Sequence, residues 1–99
     1  MNAVTIKYSR GYGKNGKLSA YVRPKQKCFN RDRKVSAFSN EELNEAINKC
    51  VQKYYEPMVY YKIGEYIIGS NNKTNAHKEW WRVCDRKDIG KIVEITEVI

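Results

Sequence analysis

Between Arg10 and Lys34 the chain reads RGYGKNGKLSAYVRPKQKCFNRDRK, and its Arg10, Lys14, Lys17, Arg23, Lys25, Lys27, Arg31, Arg33 and Lys34 are accompanied by one acid, Asp32. Tyr12 and Tyr21 stand among these cations, and Lys7 precedes them. Ammonium and guanidinium groups neutralise phosphates, and phenol rings stack on bases, so these residue types together suit a polyanion that carries flat heterocycles. Lys7, Arg10, Tyr12, Lys14, Lys17, Tyr21, Arg23, Lys25, Lys27, Arg31, Arg33 and Lys34 are therefore the candidate contacts to nucleic acid, DNA or RNA. The distribution of charge supports this. Of a formal net charge of +8, residues 1–40 carry +9, residues 41–57 carry −2 and residues 58–99 carry +1. Charge segregated in this way presents one positive face. The plainer alternative is a solvated hairpin whose lysines serve solubility.

Other chemistry finds little material. Gly11-x-Gly13-x-x-Gly16 matches G-x-G-x-x-G, but a strand follows where a dinucleotide site needs a helix N-terminus, so no cofactor is expected. Arg10-Gly-Tyr-Gly13 resembles the opening of the RNP1 motif of RNA-recognition domains, and Lys14-Asn15 then depart from it. Cys28, Cys50 and Cys84 are odd in number, widely spaced and joined by a single histidine, His77, which argues for reduced thiols rather than a disulfide framework or a metal site. Glu41, Glu42 and Glu45 have a structural use at a helix start, and His77 sits in a polar stretch as an ordinary solvated residue, so no nucleophile, base and acid converge and an enzyme is not expected.

The elements that must position these residues follow from the hydrophobic pattern. A chain of 99 residues that is 41% hydrophobic suits one globular domain with one modest core. Residues 3–9 alternate Val4, Ile6 and Tyr8 with Thr5, Lys7 and Ser9, and residues 17–23 alternate Leu18, Ala20 and Val22 with Ser19, Tyr21 and Arg23. This predicts two strands joined through a tight turn at Asn15-Gly16, with Tyr21, Arg23 and Lys7 facing outward. Pro24 stops the second strand, residues 24–33 read as an exposed basic loop, and Val35–Phe38 as a third strand. Ser39 with Glu42 forms a capping box for a helix over about 40–55, whose Leu43, Ala46, Ile47, Cys50, Val51 and Tyr54 recur at helical spacing before Pro57. Met58–Gly69 predicts one or two short strands, Ser70–His77 a polar loop, Glu79–Cys84 a strand, Asp85–Gly90 a turn and Lys91–Ile99 a closing strand. A short helix across 75–86 is the competing reading. The expected architecture is α+β, a single domain over 1–99: a basic strand-strand-strand-helix unit over 1–56 with its antiparallel sheet packed on one central helix, then a C-terminal β extension over 57–99.

Gly16, Lys17, Ala20, Val22 and Arg23, then Phe38, Ser39, Glu41, Glu42 and Ala46, make residues 4–52 resemble AP2-type and integrase arm-binding-type domains. The resemblance implies a three-stranded sheet on one helix, with the open face laid against DNA and Tyr21, Arg23 and Arg10 on that face. Leu18 stands where those domains often have tryptophan, and residues 53–99 have no counterpart. In composition the chain also looks like small phage accessory proteins, rich in Asn, Lys, Tyr and Ile. That likeness implies a second function, stoichiometric inhibition of a host nuclease, toxin–antitoxin system or ribonucleoprotein complex by binding it or its RNA. Tyr54, Tyr55, Tyr60, Tyr61, Tyr66, Trp80 and Trp81 either form a core beneath the later strands or leave a surface, with Trp80, Trp81 and 91–99, for a homodimer or a host protein. Adjacent Trp80 and Trp81 would point to opposite faces of a strand, one to the core and one outward. The absence of a long apolar run or a signal-peptide pattern points to a soluble cytoplasmic protein, in the host cytoplasm if phage-encoded, with no membrane partner.

Overall fold

The computed structural model describes residues 3–9 and 16–98. Three antiparallel strands, β1 (Val4–Tyr8), β2 (Leu18–Pro24) and β3 (Arg33–Ala37), form one sheet in the order β1-β2-β3. The alternation predicted this sheet: Val4, Ala20, Val22 and Ala37 go inward and are buried, while Lys7, Lys34 and Ser36 on the opposite face are exposed. Gly16 takes a positive φ of 72°, a conformation that favours glycine; Asn15 of the predicted turn, with the candidates Arg10, Tyr12 and Lys14, lies outside the described residues.

Helix α1 (Asn40–Tyr54) begins where the capping box placed it, with the Ser39 hydroxyl accepting from the Glu42 backbone N–H at 3.2 Å. Its buried stripe, Leu43, Ile47, Cys50 and Val51, packs with Val4, Ala20, Val22 and Ala37 into one core. Burial raises the pKa of the Cys50 thiol, against the pull of nearby Arg33 and Lys53.

The second half contains β4 (Val59–Ile63), β5 (Tyr66–Ser70), α2 (Lys73–Val83), a 3-10 turn at Arg86–Asp88 and β6 (Ile95–Val98), with sheet order β5-β4-β6. The β4–β5 connection is Gly64-Glu65 with φ of 60° at Gly64, the positive first position of a two-residue hairpin. Three expectations are corrected here. Residues 73–83 are a helix, in keeping with the competing reading of a helix over 75–86 and not with a polar loop followed by a strand, because the Asn72 side chain caps it, accepting from the Asn75 N–H at 2.8 Å, and Ala76 and Trp80 bury one turn apart. The closing strand is shortened to Ile95–Val98, with Ile92 outside it and fully exposed. The apolar residues also form two cores instead of one, the second built from Tyr61, Ile63, Ile68, Ala76 and Trp80. Elongation accompanies this division: the radius of gyration is 14.7 Å, against about 13 Å for a compact chain of this length.

A polar seam joins the two lobes. The last carbonyls of α1 have no partners within the helix, and the second lobe supplies them. Asn71 donates to Lys53 and Gln52 through its side chain and to Tyr54 through its backbone N–H, Asn75 donates to Lys53, and the Ser70 hydroxyl to Tyr54. The basic loop is likewise not free, which corrects its reading as simply exposed. Lys25 N–H donates to Ala3, Gln26 N–H to the Tyr60 hydroxyl and Phe29 N–H to Ile67, and Asn30, buried, both donates to and accepts from the Gly69 backbone at 2.8 Å. The loop thereby covers the outer edge of β5, which would otherwise present unpaired backbone groups.

Gly69 has no room for a side chain. A Cβ there would lie 2.9 Å from Cγ of fully buried Pro24 and 3.0 Å from the Tyr60 ring. Gly69→Ala is expected to destabilise the protein by about 1–3 kcal/mol through overpacking. An unchanged urea midpoint would show that Pro24 yields freely.

Candidate nucleic-acid interface

With α1 on one side of the first sheet, the other side is open among the described residues, and the strand registers define what it carries. Lys7 pairs with Tyr21 and Tyr21 with Lys34, giving a cross-strand row with an aromatic ring between two ammonium groups. On one side of this row lies Thr5 opposite Arg23, and on the other Ser19 opposite Ser36, their hydroxyls 3.2 Å apart. Beyond the serines, Lys17 Nζ lies 5.1 Å from the centroid of Phe38, which is 63% exposed. The face thus combines cations, hydroxyl groups and flat rings.

Asp32 lies 3.8 Å from Arg23 Nη1 at this face, with both side chains well exposed. An ion pair that loose and that solvated contributes little and leaves Arg23 available to a phosphate. Lys25, Lys27 and Arg31 are exposed on the anchored loop. Because the loop is held through the backbone N–H groups of Lys25, Gln26, Phe29 and Arg31 and through the Asn30 side chain, these cations would lose less freedom on meeting a ligand than they would on a floppy loop.

Arg33 is set apart from the other candidates. It shares β3 with Lys34 but occupies the opposite pleat, in register with Val22 on the helix side. Its guanidinium lies 3.7 Å over the Tyr54 ring and donates to Glu79 Oε1 at 2.9 Å. Glu79 is buried, and it also accepts from Arg82 Nη1 and from the Arg31 N–H. Arg33 therefore belongs to the joint between the lobes and not to the open face. Burial pushes the neighbouring Tyr55 hydroxyl up to about 12, with the nearby Arg33 charge opposing the shift.

Trp80, named with Trp81 as surface for a partner, is buried in the second core, while Trp81 is 50% exposed. The division between the two indoles stands, although α2 rather than a strand produces it. Sequence reasoning did not single out Ser36 and Phe38 as contacts. Extending the period-2 alternation through the third strand finds Ser36 on the outer face, and Phe38 is its aromatic neighbour two positions on. Among the described residues no group of three or more His, Cys, Asp or Glu side chains stands close enough to hold a metal ion, and no helix is long and apolar enough to cross a membrane. Compared with protein-family models, curated proteins and solved structures, the chain matches none.

Proposed function

We propose that this protein binds nucleic acid without catalysis, in the cytoplasm, gripping the phosphate backbone with the open face of β1–β2–β3 and the loop at 25–32. The observation that carries the reading is the Lys7–Tyr21–Lys34 row on the sheet face opposite α1, against which no other described element packs extensively. Lys7, Lys34, Lys17 and Arg23 supply charge, Tyr21 supplies a stacking surface, and Lys25, Lys27 and Arg31 extend the cationic strip. Capture is electrostatic, so affinity falls steeply with salt.

Each phosphate-neutralising lysine contributes about one to the slope of log K against log salt. Lys7→Ala with Lys34→Ala is expected to lower that slope by about two while the melting temperature stays near that of the parent protein, because both side chains are exposed. Equal slopes for variant and parent would remove the open face from the interface. Insensitivity of the parent to salt between about 50 and 200 mM would remove the reading itself. A protein partner kept after nuclease treatment of a lysate would favour stoichiometric inhibition instead.

A further inference from the structure

Two sides of α2 are used by the fold. Ala76 and Trp80 enter the second core, and Glu79, itself paired with Arg82, meets Arg33 at the seam. The remaining side holds Lys73, Thr74, His77, Lys78 and Trp81, which with Ile95 line an open hollow of about 290 Å³. Trp81 is half exposed there, and it is held in place: the His77 ring stacks on buried Trp80 (5.6 Å between centroids, 11° between planes) and meets Trp81 at 4.9 Å. Among the described residues, lysines belong to the lining and no carboxylate does.

We propose that this hollow is a second nucleic-acid contact, at which an unpaired base stacks on Trp81 while the adjoining phosphates meet Lys73 and Lys78. The inference rests on the nucleic-acid reading above and adds to it a preference for single strands. An indole needs the face of a base, and a duplex hides that face within its stack, whereas a single strand offers it at every nucleotide. The lining also argues against other occupants. The core of a protein-binding patch is depleted of charge, whereas here Ile95 is the aliphatic neighbour and two lysines belong to the lining. A second copy would bring the same cations against themselves.

The test is a titration of the full chain with an oligo-dT of about 20 nucleotides and with a duplex of equal length, followed by tryptophan fluorescence and by anisotropy of a labelled strand. The single strand is expected to quench the exposed indole, the duplex to leave it nearly unchanged, and Trp81→Ala to weaken single-strand binding by about 5- to 100-fold. Trp81→Phe, which keeps a flat ring, is expected to retain most of the affinity, and Lys73→Ala with Lys78→Ala to reduce the salt slope by one to two. Single-strand binding by Trp81→Ala within twofold of the parent would overturn the platform and leave the sheet-face reading intact. Binding of neither oligonucleotide by the parent at low salt would overturn both. A concentration-dependent dimer that Trp81→Ala dissolves would assign the hollow to a second copy and overturn the proposal.

Discussion

Glu79→Ala is expected to destabilise the protein by about 3–5 kcal/mol, because it leaves a charge in the joint between the lobes without its counter-ion. The Glu79 side chain is only 2% exposed and that of Arg33 only 19%, so water cannot readily replace what is lost. Three donors converge on the carboxylate, the Arg33 and Arg82 guanidinium groups and the Arg31 N–H, all at 2.9–3.0 Å. For a domain of this size such a loss lowers the melting temperature by something on the order of 15–30 °C, followed by circular dichroism. Glu79→Gln, which keeps an acceptor but not the charge, is expected to fall between parent and alanine variant. Arg82→Ala should cost little, since that side chain is more than a third exposed. A Glu79→Ala melt within a few degrees of the parent would show that the lobes do not depend on this carboxylate.

The adjacent tryptophans should respond very differently to the same change. Trp80→Ala is expected to cost about 3–5 kcal/mol, the usual range for removing a buried indole. The second core rests on Tyr61, Ile63, Ile68, Ala76 and Trp80, and Trp80 is the largest of them, so little remains to close the cavity. Trp81→Ala, at a half-exposed position, should stay within about 0.5 kcal/mol of the parent. Trp80→Phe is informative beside these. It gives up some volume but also removes the indole N–H, which is buried without a hydrogen-bond partner, so it should cost much less than alanine. Urea unfolding curves for the three variants settle the order, and equal losses at positions 80 and 81 would refute the placement of the two rings.

The first lobe was largely legible because each local signal agreed with the next. Alternation in Val4–Tyr8 and Leu18–Arg23 specified two faces, and Ser39, Glu42 and the helical recurrence of Leu43, Ile47, Cys50 and Val51 specified the helix that covers one of them. The face of Arg33 was missed through a boundary. Starting the third strand at Val35 left Arg33 in the loop and Lys34 outside the strand, whereas carrying the alternation back two residues sends Lys34 outward and Arg33 toward α1. α2 was misread because Glu79–Cys84 has the aromatic and β-branched composition of a strand. Its helical evidence lay in spacing, with Asn72 as a cap and Ala76, Trp80 and Val83 on one side. The seam was not legible at all. Asn30, Asn71 and Asn75 read locally as turn formers, and their partners, such as Gly69 for Asn30, 39 positions away, are visible only in three dimensions.

That seam consists mostly of uncharged links. Carboxamides, hydroxyls and peptide groups do not titrate in the ordinary working range, and dissolved ions screen them far less than they screen exposed charges. Among the described residues the ionic link across it is that of Arg33 to Glu79, shielded from solvent at Glu79. Ionic strength is therefore expected to leave the attitude of one lobe to the other as it was, and under the nucleic-acid proposal it would weaken only the hold of exposed lysines on a polyanion. If the proposal holds, a rinse in strong salt should strip the nucleic acid and return a protein whose two lobes keep their mutual placement, ready to be loaded again.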